Sequence, residues 1–496
     1  MSLALSQLLP DMPLPASLAA TPISALCLDS RRISAGDTFV ALAGHQQDGR
    51  IYIEQAIAGG ATLVLAEADE TRVVMQQGVP VIGITALRQQ LGVIAARLFG
   101  EPGRAMTVTG ITGTNGKTST SWFLCDALNA VGRACALVGT LGLRFAGALE
   151  DVGHTTPDPI TLQRALARFR DEGAQAVVME VSSHALDQGR LNGTPVSVAV
   201  FTNLSRDHLD YHGDMEQYLA AKAKLFEGAD LSLAVINLDD PAGVRLRERL
   251  PARLPCITFG DHADAVVRCE RLQAGADGIR FVLNVAGTNV TASVPLYGRF
   301  NLDNLMAVAA VLHGLGYDAD ALERAFAAVT PVPGRMQPVT LAGTPAPVVL
   351  VDYAHTPDGL DKALRAARVH FAGRLHCVVG CGGNRDRGKR PEMAAVAEQL
   401  ADVVVLTSDN PRFESPQAIL ADMRAGLAQP ERARIIVRRD DAIAEAIGQA
   451  GDNDVVLIAG KGHETYQEIQ GQRYPMDDRA LALAALQARR AGGEGA

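Results

Sequence analysis

At 496 residues the chain is longer than one hydrophobic core can organise, so two or three domains are expected. A formal charge of −9 without any basic block excludes nucleic acid as the main partner, since phosphate-backbone binding needs clustered Lys and Arg. No apolar run is long enough to span a bilayer, and the start, MSLALSQLLPDMPL, carries no basic stretch. The seven cysteines, Cys27, Cys125, Cys135, Cys256, Cys269, Cys377 and Cys381, form no CxxC pair; together these features predict a cytoplasmic protein that does not associate with membranes.

In chain order, residues 1–101 read as a small α/β unit closed by EPGR at Glu101 to Arg104. Ala105 to Ile111 is apolar and β-prone, and Ser121 to Ala130 is helix-compatible. Between them GITGTNGKTST, Gly110 to Thr120, reads as a phosphate cradle. The amides around Gly113, Thr114, Asn115 and Gly116 can face phosphate oxygens, Lys117 can neutralise them, Thr118 can hold magnesium, and Ser119 continues the loop. The spacing departs from the general pattern, which needs Gly where Ile111 stands. Strand-like runs then alternate with helix-like segments, the pattern of parallel sheets covered by helices, and the fold class is α/β. The second unit, 102–333, includes partial alternation over Gly278 to Leu296, read as a small antiparallel addition, and ends in TPVPGR, Thr330 to Arg335. The third, 334–496, offers strands at Pro347 to Val351, His376 to Val379, Val403 to Thr407 and Val455 to Ala459, with a disordered Gly/Ala tail after Arg489.

Ligands in open α/β sheets sit beyond the carboxyl ends of the strands. Polar stretches follow six of the expected strands: MEVSSH, TNLSRDH, DYAHTPD, GCGGNRDRGKR, SDNPR and GKGHE. One would be an ordinary loop; six suggest a site assembled from more than one domain. Glu180, after the AVVM run, and His208, in SRDHLDYHG, are candidate metal ligands. Magnesium prefers oxygen, so Glu180 beside Thr118 is the stronger reading and a hydrogen-bonding role suits His208. In YLAAKAKLF a helix would bury Leu219, Ala223 and Phe226, and spacing alone leaves Lys222 and Lys224 both on the solvated face.

GTNGKT, MEVSSHAL, TNLSRDHLDYHG, YLAAK, GRFNLDN, PGRM, VDYAHTPD, GNRDRGKRP, DNPR and GKGHE occur in an order that resembles the Mur ligases of peptidoglycan synthesis, from LDSR near residue 28 to residue 460. The resemblance implies three domains: an N-terminal UDP-binding one, a central P-loop ATPase and a Rossmann-like C-terminal one. It implies a ligase, acting as a monomer on small molecules, that activates a carboxylate with ATP and magnesium and joins it to an amino acid. By resemblance Lys117, Lys222, His208 and His355 are catalytic, Lys222 being carbamylated and, with Thr118, Glu180 and His208, a metal ligand. Asn301 and Asn304 would contact the base region of ATP, Asp352 the ribose, and Arg335 would supply positive charge; helix capping remains the residue-level alternative for the Asn pair. Leu28, Ser30, His45, Gln46 and Gln47 match uridine-binding positions. Thr155, Thr156, Ser182, Gln188 and Arg190 match positions along the muramoyl peptide, beside His154 where relatives often carry Asn. Asp409, Asn410, Pro411 and Arg412 form the variant associated with diaminopimelate as acceptor, with Arg385, Gly460 and Glu464 as further contacts. The distal carboxylate suits a bidentate arginine, and lysine, which lacks it, would leave Arg412 unpaired. The rival readings are a relative that adds L-lysine, a folylpolyglutamate synthase, and a nucleotide-driven switch.

Overall fold

The computed structural model describes residues 2–44, 48–341 and 346–493. The chain forms two compact units, Met1–Arg268 with Ala307–Asp318, and Cys269–Met306 with Ala319–Ala496.

The first unit holds two sheets. In the smaller, β1 (Leu26–Cys27), β2 (Thr38–Ala41), β3 (Leu63–Glu67), β4 (Arg72–Gln76) and β5 (Val79–Ile84) lie in the order β1-β2-β3-β5-β4, and only β4 runs antiparallel. Helix α1 (Leu87–Leu98) buries Leu87, Leu91, Ile94, Ala95 and Leu98, a stripe of helical period that closes this core. The larger sheet contains β6 (Thr107–Thr112), β7 (Cys135–Gly139), β8 (Gly142–Phe145), β9 (Ala148–Glu150), β10 (Ala176–Glu180), β11 (Val196–Phe201), β12 (Leu233–Asn237) and β13 (Cys256–Phe259). Their order is β9-β8-β7-β10-β6-β11-β12-β13, parallel from β7 to β13. The near-continuous apolar runs of β6, β10 and β11 are those of strands covered on both faces. Glu180 pairs with Ile111, and Phe201 with Thr112, so the loops after β10, β6 and β11 leave the sheet at one edge.

The second unit contains the hairpin β14 (Gly278–Val285) and β15 (Thr288–Val294), the start of a helix at Arg299–Gly314, and a six-stranded sheet. That sheet contains β16 (Gln337–Val339), β17 (Val348–Asp352), β18 (Leu375–Val379), β19 (Val403–Leu406), β20 (Arg434–Ile435) and β21 (Val455–Ala459), in the order β16-β17-β21-β18-β19-β20. Only β16 is antiparallel. Asp352 and Val379 both pair with Ala459, which brings four of the six polar strand ends to this edge.

The α/β class and the strands read from sequence are present, and Gly278 to Leu296 is the expected antiparallel addition. The Pro-Gly-Arg of EPGR lies in a 3-10 turn at Pro102–Ala105. The helix after the phosphate cradle starts at Lys117, directly after the glycine turn, with Gly116 at φ +85° as its N-cap. One local reading changes. The tail expected to be disordered after Arg489 is helical to Gly493, with Arg489 donating to Ile447 O at 3.1 Å and to Asp452 at 2.8 Å; residues 494–496 lie outside the described residues.

Candidate nucleotide and acceptor sites

The Gly113–Gly116 turn joins β6 to a helix, Lys117–Ala130, whose N-terminus lies at the end of the turn, where a helix favours anions. The loop after β11 clamps it. Thr114 N donates to Asn203 O at 2.9 Å, Asn115 N to the Asn203 side chain at 2.9 Å, Thr202 Oγ1 to Asn115 O at 2.6 Å, and Ser205 N to Thr114 Oγ1 at 3.0 Å. Gly113 has no substitute: a Cβ there would lie 1.9 Å from Thr202 Oγ1. Lys117 Nζ donates to Gly113 O and Thr114 O, both at 2.8 Å, and so folds back over the cradle.

Glu180 ends β10 with its carboxylate buried. Its Oε2 accepts from Thr118 Oγ1 at 2.9 Å and Thr140 Oγ1 at 3.1 Å, and its Oε1 accepts from Thr140 N at 2.7 Å. Gly139 makes room for it, since a Cβ there would fall 2.3 Å from Oε1. The pairing of Thr118 with Glu180 is the oxygen-donor set expected of magnesium, which takes one or two carboxylates and completes its shell with phosphates and water. Among the described residues no group of three His, Cys, Asp or Glu side chains could hold a metal ion.

Lys222 and Lys224 have opposite environments, although spacing put both in solvent. Lys224 pairs at the surface with Asp187 at 2.8 Å. Lys222 is 1% exposed, donates to Gly113 O at 2.8 Å and sits 4.3 Å over the Tyr218 ring. On the helix Met215–Ala223, Lys222 shares the buried face with Tyr218 and Leu219, four and three positions before it, while Lys224, two positions on in a 3-10 turn, points the other way. Burial, reinforced by the Lys117 ammonium, holds the Lys222 amine well below the ordinary lysine range, against a smaller opposing pull from Asp207. Lys117 and Lys222 thus converge on one carbonyl.

His208, at φ +53°, neighbours Asp207 at 3.4 Å and the rings of His184 at 4.9 Å and Tyr218 at 6.2 Å, so Tyr218 links it to Lys222. Burial first, then His208 and His212, push His184 down to about 4.

The positions matched to the muramoyl peptide are joined to one another. Thr155 Oγ1 lies 3.0 Å from Thr140 Oγ1; Thr156 Oγ1 donates to Glu180 O at 2.9 Å and accepts from Ser182 N at 3.1 Å. Arg190 donates to Thr156 O at 2.8 Å and, through two nitrogens, to Gln188 Oε1 at 3.0 and 2.7 Å. In the smaller sheet's segment, Leu28 packs against its core and Ser30 Oγ donates to Gln55 at 3.1 Å. His45, Gln46 and Gln47 lie outside the described residues.

In the second unit Asn301 and Asn304 are buried inside the helix, not at its cap, which corrects the capping alternative: Asn301 Nδ2 donates to Tyr297 O at 2.8 Å and Asn304 Nδ2 to Asn301 Oδ1 at 3.4 Å. Asp352 accepts from Met336 N at 2.7 Å and Ala354 N at 2.8 Å, which ties the PGRM turn to the end of β17. Burial raises its carboxyl above the usual range. Arg335 lies 4.4 Å over the Tyr353 ring, and the His355 ring packs 4.6 Å from the same ring, with Tyr353 O 2.9 Å from Nδ1.

SDNPR and GKGHE form one cluster. The buried Asn410 donates to Glu464 Oε2 at 2.7 Å and accepts from Lys461 Nζ at 3.0 Å and Glu468 N at 2.9 Å. Lys461, fully buried, also donates to Glu464 at 3.1 Å. Asp409 Oδ1 accepts from Asn410 N at 2.5 Å, and its Oδ2 would be 2.7 Å from a Cβ on Gly460. Arg412 keeps one edge partly exposed while Nη1 donates to Gly383 O at 2.8 Å, next to the Pro411 carbonyl that packs on Gly383. Arg385 is exposed in the neighbouring loop. Beneath the cluster, buried Arg439 donates to Asp478 at 2.7 and 2.6 Å and reaches Ala459 O at 3.0 Å.

Sequence reading missed Lys461, Thr140, Arg439 and Tyr218. Lys461 had a signal, since it stands inside GKGHE at a strand end; a lone Thr or Arg in loop or helix carried none.

No helix among the described residues is long and apolar enough to cross a membrane. Three families match in succession: the Mur ligase family, catalytic domain, at residues 22–98; the Mur ligase middle domain at 111–312; and the Mur ligase, glutamate ligase domain, at 334–462. The chain is 50% identical over 477 residues to a UDP-N-acetylmuramoyl-L-alanyl-D-glutamate–2,6-diaminopimelate ligase of Ectopseudomonas mendocina, covering 96% of this chain and 97% of the relative. It is 49% identical over 494 residues to the ligase of the same name from Xylella fastidiosa, covering 98% of each. A solved structure of a ligase of that name superposes with a TM-score of 0.72 at 36% identity, covering 99% of this chain and 100% of that one.

Proposed function

The chain belongs to the Mur ligase family, and from that premise we propose that it joins meso-2,6-diaminopimelate to the D-glutamate side-chain carboxylate of UDP-N-acetylmuramoyl-L-alanyl-D-glutamate. It is an ATP-dependent ligase of peptidoglycan precursor synthesis, acting in the cytoplasm as a monomer. The observation that carries the choice of acceptor is the cluster of Asn410, Arg412 and Glu464, with a guanidinium left partly open beside a carboxylate.

The reaction needs activation because a carboxylate is a poor electrophile. The glutamate carboxylate oxygen attacks the γ-phosphorus of ATP, ADP leaves, and the acceptor amine attacks the acyl carbon, losing a proton and expelling phosphate. For the first step the Gly113–Gly116 amides and the helix start bind the phosphates, and Lys117 swings from Gly113 O and Thr114 O to meet their charge. Magnesium would be held by Thr118 and Glu180, whose oxygens already meet at 2.9 Å, and would supply charge neutralisation for the phosphoryl transfer. Lys222, held toward the neutral amine that attacks carbon dioxide, is suited to carbamylation, which would add oxygen donors beside the cradle; His208 is kept near it by Tyr218. By resemblance Asn301 and Asn304 are assigned to the base of ATP, Asp352 to the ribose, and Arg335 and His355 to the phosphates. Leu28, Ser30, His45, Gln46 and Gln47 hold the uridine. Thr155, Thr156, Ser182, Gln188 and Arg190 line the muramoyl peptide. Arg385, Asp409, Asn410, Pro411, Arg412, Gly460 and Glu464 take the acceptor, Asn410 acting through the Glu464 it holds. The division into 1–101, 102–333 and 334–496 is supported by the three successive family matches.

The test is phosphate release from ATP with the UDP-muramoyl dipeptide and either meso-diaminopimelate or L-lysine. Release that requires both the dipeptide and diaminopimelate is expected. A preference for lysine would overturn the acceptor assignment, and turnover with nucleotide alone would favour a switch.

A further inference from the structure

Glu468 lies outside every motif that points to the reaction, on the strand Tyr466–Ile469 behind GKGHE. Its backbone ties it to both ends of DNPR: its N–H donates to Asn410 Oδ1 at 2.9 Å, and its carbonyl accepts from Arg412 N at 3.0 Å. Gln470 N returns a bond to Arg412 O at 2.8 Å, and Arg412 is held at φ +49°. With both backbones fixed in register, the Glu468 carboxylate meets Arg412 Nε at 3.2 Å, both side chains being mostly covered. Gly383 O takes Nη1 on the other side. The guanidinium thus arrives at the acceptor pocket with a resident carboxylate already on one edge.

Resting on the acceptor reading above, we infer that Glu468 is a specificity-determining residue that occupies Arg412 when no distal carboxylate does, and so moderates the rejection of lysine. An arginine stranded without a partner is what makes a carboxylate-reading site reject the analogue that lacks the carboxylate. Here that penalty is reduced, because Glu468 stays paired to Arg412 when lysine is bound. When diaminopimelate binds, two carboxylates share one guanidinium, and their mutual repulsion offsets part of the gain.

The experiment compares wild type with Glu468→Gln, which keeps an acceptor oxygen for Arg412 Nε but removes the charge. The readouts are KM for meso-diaminopimelate and the inhibition constant of L-lysine against its incorporation. The variant is expected to bind lysine about two- to five-fold more weakly, as for one partly exposed ion pair, with KM for diaminopimelate unchanged or lower, so that the ratio widens. A ratio that stays the same or narrows, or a wild type that lysine does not inhibit, overturns the role of Glu468. Arg412→Ala separates the two levels: it should raise KM for diaminopimelate and leave lysine inhibition insensitive to Glu468→Gln. If wild type shows no use of diaminopimelate, the acceptor reading falls and takes this inference with it; if it prefers diaminopimelate and the ratio does not move, Glu468 alone loses its role.

Discussion

Replacing Lys222 should separate catalysis from stability. With Lys222 held toward the neutral amine, its hydrogen bond to Gly113 O at 2.8 Å is that of a neutral donor, worth about 0.5–1.5 kcal/mol, and little of the cost of a buried ammonium is incurred. Lys222→Met keeps the buried methylenes, and Gly113 O retains the Lys117 ammonium as donor, so unfolding in urea should change by no more than about 1 kcal/mol. Ligation should fall by about 10²–10³, the scale of losing one placed electrostatic group. Phosphate release in the presence of both substrates measures it, and Lys222→Ala with short carboxylic acids should regain part of the activity if an anion is what this position supplies. A Lys222→Met protein that loses several kcal/mol of stability yet keeps near-normal turnover would refute this account.

Three further outcomes follow from the geometry. Gly139→Ala forces a methyl to within 2.3 Å of a carboxylate pinned by three hydrogen bonds, so the magnesium concentration for half-maximal activity should rise about ten-fold; an unchanged metal titration counts against Glu180 as a ligand. Asp478→Ala strands Arg439, since both are fully buried, and urea unfolding should show a loss of about 3–5 kcal/mol; a loss under 1 kcal/mol would contradict a buried pair. His184 is held at about 4 against an ordinary 6.5, so below pH 6.5 the unfolded chain binds a proton that the folded one refuses. Its contribution is full above 6.5 and is lost as pH falls toward 4; a shift of this size would be worth about 3 kcal/mol, reduced to about 1 because the ring is part-exposed. His184→Gln should flatten that part of a pH–stability curve, and superimposable curves would exclude the effect.

The strands and their polar ends could be read directly because buried parallel strands are near-continuous apolar runs, and loops that follow them must satisfy their own backbone. Glu180 beside Thr118 was readable for the same reason: both end or follow strands that pair in register. The fate of Lys222 was legible too, although reading every lysine as solvated hid it: two positions apart on a helix, Lys222 and Lys224 take opposite faces, and Lys222 shares the buried one with Tyr218 and Leu219. Arg439 and Asp478 are 39 positions apart, and Arg412 meets Glu468 only because a short bridge from Arg412 to Ile469 aligns its loop with the strand Tyr466–Ile469. Such pairings are products of tertiary register, which spacing does not encode.

The two buried lysines show how that register creates function. Lys461 and Lys222 are equally withdrawn from solvent. Lys461 donates to the Glu464 carboxylate and the Asn410 amide, so its charge is matched and its use is to hold an anion in place. Lys222 donates to a carbonyl that also receives the ammonium of Lys117. Burial first, and then the like charge of Lys117 beside it, favour the neutral amine, the form able to react with an electrophile such as carbon dioxide. A carboxylate placed next to Lys222 would restore its charge and remove that reactivity, so introducing one at the Tyr218 position should stabilise the ammonium and suppress turnover even though no metal or phosphate contact is touched.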